Sequence, residues 1–281
     1  MKKFITLAKE LYPINRSITG KGVVQTLKII KNKHLHKLRI KKIRSGTIVY
    51  DWKIPPEWNI KDAFVEDESG RKIIDYKKNN LHIVSYSKKI NKYVDKKELE
   101  KHLFSITKKP KAIPFVTSYY NPFWGFCLAH EKRRKLKGKK FFVHIDSNFN
   151  YKGYLTYGEL YIKGKSSKEI LITTYICHPS MANNELSGSM VSMGLINHFK
   201  RKNLSCLPIG YKSGISYVKK EVKYKSTIFW RQRKAKMSIQ HKVRRYTFSH
   251  TTDSANPTTN HHPHPQIPLL QIPLLPQIPL V

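Results

Sequence analysis

Residues 169–199, EILITTYICHPSMANNELSGSMVSMGLINHF, constrain the fold more than any other stretch of the chain. Ile170 to Ile176 is a short β-branched and aromatic run, the pattern of a strand buried on both faces. Cys177-His178-Pro179-Ser180 ends it, since proline cannot continue a sheet ladder. After Ser187-Gly188, the residues Met190, Val191, Met193, Gly194, Leu195 and Phe199 can share one apolar helical side. Strand, polar turn and helix in that order predict an α/β fold. His178 then sits at the carboxyl end of a central strand, with Asn183, Asn184 and Glu185 in the loop before the helix. Ligands of open α/β sheets bind at that edge.

A neutral imidazole and a carboxylate seven residues later, on two sides of one loop, can converge on a divalent metal. By spacing alone, a structural hydrogen-bonding histidine is the commoner reading of His178.

The 281 residues suffice for one large core or two modest ones. Lysine and arginine outnumber acids by 54 to 18, a formal net charge of +36. The lysines are scattered over the whole chain and no nucleic-acid-binding motif accompanies them. The charge therefore reads first as a composition bias, and second as attraction for a polyanion such as nucleic acid or an acidic glycan. Cys127, Cys177 and Cys206 are odd in number and lack paired metal spacing, which argues against a disulfide scaffold and for a reducing cytoplasm. The interrupted apolar run of MKKFITLAKELYP is no signal peptide, and no stretch has the apolar length to span a bilayer.

Phe4, Leu7, Ala8 and Leu11 lie at helical spacing, and Tyr12-Pro13 stops that helix. A polar turn from Asn15 to Gly22 leads into a second helix, Val23 to Lys31, capped by Thr19 or Gly20, with Val24, Leu27 and Ile30 inward. Arg16 in the turn has two roles open to it: pairing with a substrate carboxylate, or fixing the loop by bonding backbone carbonyls. From Lys37 to Ile162 the pattern is strand-like and broken by turns, with a hairpin at Asp67-Glu68-Ser69-Gly70, an alternating Leu81–Tyr86 and a short helix from Lys96 to Leu103. Trp124 and Phe126 are expected on one strand face, turned into a core with Trp52; Trp58 reads as a core plug. His130, Glu131, His144 and Asp146 match no metal spacing and read as surface residues, and the basic run 131–137 as a solvated helix or loop.

TYICHPSMANNELSG, together with YPINRSITG, DWKIPPEWNI, SYYNPFWGFC and GYLTYGEL, carries a resemblance. The first segment resembles the metal-binding segment of zinc aminopeptidases of the leucyl aminopeptidase and glutamate carboxypeptidase clan. More closely, the set resembles aminopeptidase-like proteins with an inserted β-domain, often linked to surface-polysaccharide biosynthesis. The resemblance covers roughly residues 1–204. It implies a zinc-peptidase-like mixed sheet with helices and an inserted β-domain, incomplete at the C-terminus. It implies zinc as cofactor, a peptide or peptide-like substrate, and His178 as a metal ligand. The bridging aspartate of the clan falls on Asn184, a neutral ligand, so that Glu185 takes the role. A comparable Arg-Gly loop beside the active site implies a substrate-binding place for Arg16.

After Phe199 the character changes. Cys206 to His250 is basic and aromatic, and Thr251 to Val281 is rich in Pro, with His261, His262 and His264 in a tract that reads as disordered. A departure from the family near Ser205, by frameshift or fusion, is the expectation. The domain reading is an aminopeptidase-like part (1–45 and 163–204), an inserted β-domain (46–162), a basic segment (205–250) and a Pro-rich tail (251–281). The expected function is a metal-dependent aminopeptidase-like hydrolase, weak or inactive for want of downstream ligands. The alternative is a non-catalytic module binding an acidic glycan or a protein.

Overall fold

The structure, a computed structural model, describes residues 2–49, 52–164, 170–201, 209–213 and 226–228. Cys206, the proposed departure at Ser205, the histidines at 261, 262 and 264 and the tail 251–281 lie outside the described residues. In chain order the helices are α1 (Lys2–Leu11), α2 (Lys21–Lys33), α3 (Lys96–Lys101), α4 (His130–Arg134) and α5 (Ser187–Arg201). The strands are β1 (Arg39–Arg44), β2 (Ile48–Val49), β3 (Trp52–Lys53), β4 (Glu57–Glu66), β5 (Lys72–Asp75), β6 (Ile90–Asp95), β7 (Leu103–Phe104), β8 (Phe126–Cys127), β9 (Lys140–Asn150), β10 (Tyr154–Ile162), β11 (Ile170–Thr174), β12 (Ile209–Ser213) and β13 (Ser226–Ile228).

A mixed five-stranded sheet has the order β1-β10-β12-β11-β13, and β11 lies parallel to both of its neighbours. Flanking on both sides explains why its sequence is a continuous apolar run. Leu7 and Leu11 of α1, Val23, Leu27 and Ile30 of α2, Leu160 of β10, Ile172 of β11 and Met193 and Ile196 of α5 form one core. Each such side chain, buried from water, stabilises by roughly 1.5–3 kcal/mol. The buried stripe of α5 is Ser189, Ser192, Met193 and Ile196, and Val191, expected on the apolar side, is 43% exposed. Gly188 lets this helix approach β11 closely: a Cβ there would meet the Thr174 hydroxyl at 2.7 Å.

A second, four-stranded sheet, β5-β4-β9-β6, is antiparallel throughout. Its alternating residues Ala63, Val65, Phe141, Val143 and Ile145 pack on Leu99, Leu103, Trp124 and Phe126. Trp124 and Phe126 are buried as expected, but Trp52 is half-buried in a separate cluster with Ile18, Ile54, Leu155 and Cys177. Tyr154–Ile162, read from sequence as part of the insert, pairs with β1 and β12 in the five-stranded sheet. Leu81–Tyr86 is no strand. The Asn79 side chain accepts from Leu81 N and caps a 3-10 turn at Asn80–His82, and Tyr86 adopts φ 67°.

The loop between α1 and α2 ties the two sheets together. Thr19 Oγ1 lies 2.7 Å from the Tyr86 hydroxyl and accepts from Trp58 N at 3.1 Å. Gly20, at φ 104°, is the α2 N-cap in place of a side-chain cap; a Cβ there would lie 2.3 Å from the Trp58 carbonyl oxygen.

Candidate metal centre

β11 runs between two parallel neighbours and releases the chain at its carboxyl end. Ile176, Cys177, His178, Pro179 and Ser180 follow, all buried, and Ser180 takes φ 41° to turn the chain. A non-glycine residue in that region carries backbone strain of order 1–3 kcal/mol, held by its surroundings. Here the Ser180 hydroxyl donates to the Tyr12 carbonyl. The chain then enters a π-helical turn, Ala182–Leu186, continuous with α5. The sequence predicts a loop at this point. The wider turn rotates Glu185 inward while Asn183 stays exposed; single π-turns of this kind occur often at functional sites.

The turn brings Glu185 onto His178. Glu185 Oε1 and His178 Nδ1 form a short hydrogen bond, and Cys177 Sγ lies 3.2 Å from the same nitrogen. Donor atoms of Cys177, His178 and Glu185 all lie within 4.8 Å of one another, the one such group among the described residues. The Phe115 ring meets the imidazole edge-on, centroids 4.6 Å apart. Asn184 sits beside the carboxylate, its Nδ2 donating to Glu185 Oε1 at 3.2 Å. Glu185 is fully buried and its Oε2 has no hydrogen-bond partner.

Arg16 is fully buried as well. Its Nε donates to the His178 carbonyl at 3.1 Å, Nη1 to the Leu11 carbonyl, and Nη2 has no partner. Of the two roles open to Arg16, these bonds are the loop-fixing one. Burial lowers its pKa to about 10, opposed by the charges of Glu185 and Cys177. Burial also pushes the Cys177 thiol well above its ordinary value, and the Glu185 charge adds to this. Sequence reasoning missed Cys177 by looking for paired cysteine spacing; its place next to His178 at a strand end was the available signal.

His130, Glu131, His144 and Asp146 do not converge. His130 Nδ1 meets Ser105 Oγ at 3.0 Å, His144 Nδ1 meets Asn91 Oδ1 at 2.7 Å, and Asp146 faces Lys89 at 3.7 Å.

The donor set suits a divalent ion of intermediate softness: an imidazole, a carboxylate with one oxygen unpartnered, and a thiol.

The mixed sheet and its helices are those of an α/β protein with an aminopeptidase-like fold. The chain belongs to the family described as "Domain of unknown function (DUF4910)", whose model matches residues 5–208. It is 50% identical over 182 residues to a protein of Clostridium acetobutylicum named as a candidate polysaccharide biosynthesis protein with an aminopeptidase-like domain, covering 65% of this chain and 41% of that one. A crystal structure from Clostridium acetobutylicum, named as a candidate peptidase, superposes with TM-score 0.70 at 43% identity, over 76% of this chain and 50% of that one. The chain thus spans about half the length of these relatives or less. The zinc aminopeptidase BSAP of Bacillus subtilis gives TM-score 0.49 at 11% identity, over 75% of this chain and 59% of that one.

Proposed function

We propose that Cys177, His178 and Glu185 hold one zinc ion, and that the chain is an aminopeptidase-like hydrolase of low turnover acting on a peptide-like substrate. The observation that carries this is the orphaned Glu185 Oε2 in a buried three-donor cluster at the carboxyl edge of β11. A metal would supply the missing partner; a buried acceptor left unpaired otherwise costs about 1–3 kcal/mol, more when charged. Zinc held by these residues would supply Lewis-acid chemistry, polarising a carbonyl and activating water. The protein's share is positioning. Arg16 fixes the carbonyl of His178, Phe115 walls one side of the imidazole, and Asn184 orients the Glu185 carboxylate. This gives Asn184 an orienting role beside the ligands.

Low turnover follows from ligand supply: the resemblance puts further ligands beyond residue 204, where the sequence shows none that is recognisable, and Asn184 offers an amide where the clan has an aspartate. Buried free thiols at Cys127 and Cys177 support a place in the cytoplasm. The domain reading is kept with one change: the insert ends before β10, which pairs within the main sheet. Zinc content and hydrolysis of aminoacyl p-nitroanilides by the full chain test the proposal. One zinc per chain, lost in His178→Ala, is the expected result; a metal-free chain after zinc loading overturns it.

A second reading, binding of an acidic glycan, is supported by a polar cleft that none of the three metal donors lines.

A further inference from the structure

We infer that this cleft, between the start of α2 and the inserted sheet, binds a short oligosaccharide carrying a carboxylate, read by Asn15, Gln25 and Asn148 and held by Lys21 and Lys61. The inference rests on the glycan-binding reading and gives it a site; it is independent of the metal. The cleft, open to solvent along one side, has a volume of about 900 Å³, room for a short oligosaccharide. The loop 13–19 forms the wall between it and the metal centre. Arg16 turns toward His178, while Asn15 and Ser17 line the cleft.

The polar groups here divide into two sets. Asn59 is occupied, accepting from Lys21 N and donating to Glu57, and Ser147 donates to the Ser87 carbonyl. Glu10 pairs with Lys33, and Asp146 faces Lys89, so the acids of the rim already have cations beside them. By contrast, the side chains of Asn15, Gln25, Asn148, Lys21 and Lys61 make no hydrogen bond or ion pair among the described residues. Three amides, each offering donors and an acceptor, match sugar hydroxyls, which both donate and accept. Two ammonium groups with no acid partner match a carboxylate.

Other occupants fit less well. Single-stranded nucleic acid needs free ring faces for stacking, and Trp58 is buried and stacked on Tyr86. An extended peptide needs open main-chain groups along a strand edge; at the cleft, Trp58 N is already taken by Thr19 Oγ1 and the Asn59 side chain accepts from Lys21 N, so the α1–α2 loop covers that part of the β4 edge.

The test is calorimetric titration of the full chain with hyaluronan tetrasaccharide, and with maltotetraose as the neutral counterpart, at physiological salt. The expected result is one-to-one binding of the hyaluronan fragment, at least tenfold tighter than maltotetraose. The Asn15→Ala/Asn148→Ala variant, with both lysines intact, should weaken it at least tenfold. Both side chains lie outside the core without partners, so the fold should survive. Lys21→Gln/Lys61→Gln should bring the two sugars to similar affinity, and His178→Ala should leave binding unchanged. Binding insensitive to the asparagine changes would overturn the cleft while sparing the glycan reading, as general attraction to a basic chain would. Equal affinity for maltotetraose in the wild type would overturn the carboxylate requirement, and no binding of either sugar would overturn both the cleft and the glycan reading.

Discussion

Arg16 Nε donates to the carbonyl oxygen of His178, joining positions 162 residues apart in the sequence at 3.1 Å. The guanidinium also reaches the Leu11 carbonyl and is the cation whose charge opposes that of the buried Glu185. Arg16→Met removes both carbonyl bonds and leaves the buried carbonyls of His178 and Leu11 without that donor. The expected loss is about 1.5–3 kcal/mol, seen as a lower urea midpoint. Arg16→Lys should recover little of it, because a point charge cannot serve two carbonyls as a planar fork does. A midpoint unchanged in Arg16→Met would show that the loop is held by other contacts.

Thr19 Oγ1 meets Pro56 O, Tyr86 Oη and Trp58 N at once. Thr19→Val keeps the shape and leaves the buried Tyr86 hydroxyl and Trp58 N–H unpaired. It should destabilise by about 1–3 kcal/mol, while Thr19→Ser should stay near wild type. Equal stability of the valine and serine variants would remove the hydroxyl from the junction.

How much of this was legible in the sequence depended on the range of the interaction. The apolar run at Ile170–Thr174 and the amphipathic α1 are local signals, and both elements stand where the pattern put them. Leu81–Tyr86 alternates like a strand, but a side-chain cap from Asn79 and a left-handed Tyr86 take the chain elsewhere. Tyr154–Ile162 is a recognisable strand whose partners, β1 and β12, are set by long-range pairing that no local pattern carries. Ile209–Ser213, inside the basic segment, joins the same sheet for the same reason. At the site, the approach of His178 and Glu185 was readable from the order strand, turn, helix, since that order brings both to the carboxyl edge of β11. The π-turn that joins them was not, since an extra residue in a helical turn leaves no composition signal.

His82 supplies a pH dependence. Burial lowers its imidazole pKa below the ordinary 6.5; the bond to the Cys127 carbonyl and the charge of Asp75 offset this in part, and the charge of Lys132 adds to it. Its folded pKa lies below the unfolded one, so between them the unfolded chain binds more protons. Stability therefore falls as pH drops below about 6.5, by up to about 1.4 kcal/mol per pH unit from this group. Urea denaturation at pH 7.5 and pH 5.5 should show that loss in the wild type and a smaller one in His82→Gln. An identical loss in both would assign the acid sensitivity to other groups.

The metal centre is tested most directly by titrating cobalt(II) into the full chain and recording its absorption. Coordination by Cys177, His178 and Glu185 predicts one cobalt per chain, a near-ultraviolet thiolate-to-metal band that disappears in Cys177→Ser, and affinity at least tenfold lower in His178→Ala and Glu185→Gln. Cobalt that fails to bind, or binds with the same affinity and spectrum in all three variants, would contradict it.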